Sequence, residues 1–125
     1  MKSYVFPWLA AVTLTTSTVA LADGDHKAAY GGVVAVVADV QYELVAKPDA
    51  LTVYILDHGK PVDTKGATGK LTLLAGANKS EVTLTPVGAN ALEAKGAFKT
   101  PPGTKAVATI TVSGKPAASA RFEIK

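Results

Sequence analysis

Beyond residue 32, apolar side chains recur at every second position, and that spacing admits strands and little else. Leu51, Val53 and Ile55 alternate with Thr52, Tyr54 and Leu56. Leu71 and Leu73 alternate with Lys70, Thr72 and Leu74, and Val82 and Leu84 with Glu81, Thr83 and Thr85. The same beat continues through Leu92, Ala94, Gly96 and Phe98, and through Ala118, Ala120, Phe122 and Ile124. Valine, threonine and tyrosine suit a pleated, half-buried surface. No mature stretch offers a helical stripe of apolar residues.

Turn chemistry punctuates the runs. Lys47-Pro48-Asp49, Asp57-His58-Gly59-Lys60-Pro61, Ala75-Gly76-Ala77-Asn78, Val87-Gly88-Ala89-Asn90, Pro101-Pro102-Gly103 and Ser113-Gly114-Lys115-Pro116 each supply a glycine or a proline. Glycine opens positive φ, and proline presets its own φ. Strands are therefore expected at 33–37, 40–46, 51–57, 69–75, 79–86, 91–98, 105–113 and 117–124. Seven to eight short strands spaced about ten residues apart indicate an all-β fold, a single antiparallel β-sandwich of immunoglobulin-like kind. The polar segment 59–69 is too long for a hairpin and is expected to cross between sheets. The expected core holds Val53, Ile55, Leu71, Leu73, Val82, Leu84, Leu92, Phe98, Val107 and Phe122. Strand 105–113 has two competing faces, Ala106, Ala108, Ile110 and Val112 against Val107, Thr109 and Thr111.

The chain before this domain reads as an export signal. Lys2 gives a positive start, an apolar run follows from Tyr4, and Ala20-Leu21-Ala22 is a small-x-small cleavage pattern ahead of polar Asp23. Pro7 and five Thr or Ser residues between Thr13 and Thr18 make a poor spanning helix. The expected organisation is a cleaved signal peptide over 1–22, a flexible N-terminal segment over 23–32 and the β-sandwich domain over 33–125. The expected location is periplasmic, with no membrane insertion of the mature chain.

Composition narrows function by exclusion. The absence of cysteine removes disulfides, thiolate metal sites and cysteine nucleophiles. The net charge of +3 comes from scattered lysines and a single arginine, Arg121, so no basic groove for nucleic acid is expected. After the signal peptide the serines are Ser80, Ser113 and Ser119, none in a nucleophile elbow, and no glycine-rich phosphate loop precedes a helix. Without an assembled acid, base and nucleophile, a non-enzyme is expected.

Metal binding is the sharper alternative. Histidine occurs twice, as His26 and His58. Asp23, Asp25 and the new α-amine surround His26; Asp57 precedes His58, and Asp39 and Glu43 flank the second strand. Imidazole with carboxylate suits zinc or copper(II). Cleavage before Asp23 puts His26 fourth, one place beyond the position that chelates copper(II) through an amine and backbone amides. The expected ligands are His26 with Asp23 or Asp25, and Glu43 or His58. The plain alternatives are a solvated terminal residue for His26 and an ordinary turn residue for His58.

The run Gly31-Gly32-Val33-Val34, then Tyr42-Glu43-Leu44-Val45-Ala46, then Val53-Tyr54-Ile55-Leu56-Asp57-His58-Gly59-Lys60-Pro61-Val62 resembles a family of small exported bacterial proteins associated with heavy-metal resistance. It is similar to the N-terminal β-domain of periplasmic adaptor subunits of heavy-metal efflux pumps. The resemblance implies a β-domain, a copper or zinc ion, and an efflux system or another envelope protein as partner. In that pattern a histidine precedes Gly-Gly; here the position is Tyr30, whose phenol keeps its proton at neutral pH and is a poor ligand. Two functions are thus expected to compete: a periplasmic metal-binding accessory, or a non-catalytic envelope interaction module with no metal.

Overall fold

A computed structural model describes residues 27–125. The readings on the signal peptide and on Asp23, Asp25 and His26 lie outside the described residues. Among the described residues the chain is all-β, without a helix, and none of its elements is a helix long and apolar enough to cross a membrane. The strands are β1 (Val33–Val37), β2 (Val40–Lys47), β3 (Ala50–Asp57), β4 (Lys60–Pro61), β5 (Thr68–Ala75), β6 (Asn78–Val87), β7 (Ala91–Lys95), β8 (Lys105–Thr111) and β9 (Ala118–Glu123).

Every pairing is antiparallel, in the order β1-β2-β3-β7-β6-β5-β8-β9, with β4 on the free flank of β3. β6 carries the sheet around a corner: Asn78 to Leu84 pair with β5, and Thr85 to Val87 pair with β7. β1 and β9, the ends of the path, lie beside each other, so the sheet nearly closes as a barrel. The crossover after β4 leaves the β3 side and enters β5 on the other. Thr64 is fully buried within it, donating its hydroxyl to the Ala91 carbonyl at 3.1 Å.

Most of the expected core is inside. Val53, Ile55, Leu71, Leu73, Leu84, Leu92 and Phe122 are buried, joined by Tyr42, Leu44, Leu51 and Ile110. Three residues depart from expectation. Val107 points outward, because β5 sets the phase of β8: Gly69 stands opposite Ile110, Leu71 opposite Ala108 and Leu73 opposite Ala106. Large residues thus meet small ones across the pair, and a Cβ on Gly69 would come within 3.2 Å of Ile110. Val82 and Phe98 are only partly buried against the core. β7 stops at Lys95 instead of reaching 98, since the Gly96 and Phe98 amides turn to the Asp49 and Pro48 carbonyls. The Phe98 ring then covers Gly96, where a Cβ would lie 3.3 Å from it.

Candidate functional site

β2 is buried on both faces. Tyr42 and Leu44 enter the core, while Gln41 and Glu43 point the opposite way and are nevertheless covered. Their cover is the segment 27–32. Glu43 Oε1 accepts the Ala29 amide at 2.7 Å, and Oε2 accepts the Tyr30 and Gly32 amides at 2.9 and 2.7 Å. Gln41 Nε2 donates to the Lys27 carbonyl at 3.2 Å. A carboxylate 1 % exposed requires such partners, because burying it unpaired would be costly.

The glycines explain how the amides converge. Gly31 has φ of +81°, the left-handed region, which curls successive N–H groups toward one acceptor. Gly32 has no room for a side chain, since a Cβ there would run into the Leu44 carbonyl. The chain then reverses into β1, with Val33 opposite Leu44. Tyr30 stacks on Tyr54, ring centroids 3.8 Å apart and planes 8° from parallel. Its hydroxyl accepts from Asn90 Nδ2 at 3.2 Å.

His58 sits at one end of the barrel, in the turn from β3 to β4. His58 and Gly59 have φ of +53° and +80°, the pairing that matches strand twist in a two-residue hairpin. The imidazole Nδ1 lies 2.6 Å from Asp57 Oδ1, within hydrogen-bond reach of the carboxylate, and the side chain is largely exposed. Lys115 Nζ lies 3.9 Å from Asp57 Oδ2, an exposed pairing of small energetic weight. Below them Tyr42 is buried. Burial first, and the Asp57 carboxylate second, push its phenol above the ordinary tyrosine range, so it keeps its proton.

Glu43 and His58 do not meet. Glu43 stands opposite Tyr54, and His58 lies four residues further along, about 13 Å at the rise of a strand. Glu43 also uses both oxygens on main-chain amides. Among the described residues, no three His, Asp or Glu side chains gather as a metal cluster. Sequence reasoning missed the clamp and the phenol. The signals were present: Gly-Gly eleven residues before an acid in a strand, and a tyrosine on an inward position next to a strand end. No protein-family pattern, curated protein or solved structure matches this chain.

Proposed function

We propose that this is an exported, non-catalytic accessory protein of the periplasm that takes a copper or zinc ion at the His58 end, beside a heavy-metal efflux system. In this reading the barrel is a flattened, immunoglobulin-like sandwich whose two layers are joined through β6. The supporting observation is the Asp57–His58 pair at 2.6 Å. A carboxylate that holds Nδ1–H fixes the tautomer and ring orientation and frees Nε2 for a metal, the usual outer-shell arrangement of ligating histidines.

The second imidazole of this reading is His26, the residue before Lys27 in the sequence. Lys27 is tied to Gln41, which stands opposite Leu56, next to Asp57. The covalent chain from Lys27 back to Asp23 spans at most about 14 Å, enough for His26, Asp23 or Asp25 to join His58 at the same end. Glu43 supports this as the anchor of the strap, not as a ligand.

Calorimetry on protein beginning at Asp23, with copper(II), copper(I) and zinc, tests the reading. Binding should weaken as pH falls, because protons compete for imidazole. His26→Ala and His58→Ala should each reduce affinity. No heat with any of the three ions at about 100 μM protein, a concentration that detects sites in the micromolar range, would remove the metal. The alternative, an interaction module, would then stand. It draws support from β1, an edge strand whose Val36 is 43 % exposed.

A further inference from the structure

A groove of about 460 Å³ opens at the His58 end of the barrel, within the range that holds a small organic ligand. Val40, Ile55, Val62, Ile110 and Val112 make its walls apolar. Tyr42 lines it at 5 % exposure, and no described residue hydrogen-bonds its phenol. Buried tyrosine hydroxyls ordinarily have a partner. Tyr42 lines the open groove, so an atom of a bound ligand can serve as the partner of its hydroxyl there.

The rim sets the charge of that ligand. Asp39 and Asp57 border the groove together with His58 and Lys115, and the ammonium is only loosely engaged, at 3.9 Å from Asp57. Ala38 and Asp39, with φ of 51° and 69°, form the two-residue β1–β2 turn at the edge of the groove. An ammonium carries three N–H donors, enough to reach the phenol oxygen and the Asp57 carboxylate at once.

We propose that this groove binds a small primary amine with an apolar body, its ammonium between Tyr42 and Asp57 and its hydrocarbon along the valine and isoleucine walls. The amine would sit inside the groove and the metal of the preceding reading at the outward imidazole Nε2, with Asp57 and His58 bordering both.

Three probes of nearly one shape separate the possibilities: phenethylamine, phenethyl alcohol and 3-phenylpropionate. They are titrated into purified protein kept metal-free with chelator, following amide chemical shifts. The amine should shift the Tyr42, Asp57 and Val112 amides saturably. The neutral alcohol should bind roughly tenfold more weakly, as expected for losing a hydrogen bond to a charged group, and the acid more weakly still. Tyr42→Phe should weaken the amine about fivefold by the loss of one hydrogen bond. Its melting temperature should hold or rise, because it deletes an unpaired polar atom. The chelator keeps this titration free of metal, and the calorimetry with metal ions is run without amine, so the two proposals fail separately. Equal binding of all three probes, binding of none, or unchanged amine affinity in Tyr42→Phe would overturn the site.

Discussion

Glu43 shows how far a single residue can depart from its local pattern. A polar residue at an outward strand position ordinarily meets water, and acidic chemistry alone made Glu43 a candidate ligand. Its actual partners are three amides 11 to 14 residues earlier in the chain. Nothing in a strand's own sequence names such partners, because main-chain amides are identical at every position. The adjacent Gly31 and Gly32 were the legible half of the arrangement. The clamp therefore makes a residue-scale prediction. Glu43→Ala should cost about 2–3 kcal/mol in chemical denaturation, the scale of a buried hydrogen-bond network left unpaired. Amide exchange at Ala29, Tyr30 and Gly32 should rise in the same variant while β5 and β8 keep their protection. A loss below about 0.5 kcal/mol, the range of ordinary surface substitutions, would show that the strap contributes little to the fold. Gly32→Ala should produce the same release by steric conflict with the Leu44 carbonyl.

At the scale of elements, strand positions were legible because alternation and turn residues agree along most of the chain. β4 was not, being two residues long and containing Pro61, which has no amide to donate and sits on an edge. The phase of β8 was also ambiguous, since alanine, valine and isoleucine make both of its faces apolar. Only the register against β5 decides it, and register is a property of the pair. Ile110 fills the space that Gly69 leaves, whereas Val107 stands opposite Thr72 and Arg121 on the outer side. Ile110→Ala should therefore destabilise by about 3–4 kcal/mol through lost burial and a cavity. Val107→Ala should cost no more than about 1 kcal/mol, the range of partly exposed positions. Thermal melts of the two variants compare the faces directly, and the reverse order would mean that β8 is one residue out of register.

For the whole molecule, sandwich and barrel use the same alternation, so the sequence could not separate them. The difference lies in β6, long enough to serve both layers, with Pro86 at the stretch where pairing passes from β5 to β7. Closure is incomplete on the other side. β1 pairs only with β2, and β9 only with β8, and no ladder joins the two across the seam. Their seam-facing amides have no strand to bond, while β5 is paired along both flanks. Opening the seam breaks side-chain packing but no ladder, so it should be the lowest-energy opening of the barrel. Native-state hydrogen exchange should show alternate amides of β1 and β9 exchanging with opening free energies near zero. The amides of β5 should approach the global stability, as should those of β3 from Ala50 to Tyr54, which are paired on both sides. Addition of low denaturant should then loosen β1 and β9 before β5 begins to exchange. Uniformly slow exchange across β1 and β9 would instead show a continuous ladder there, and a barrel closed by hydrogen bonds.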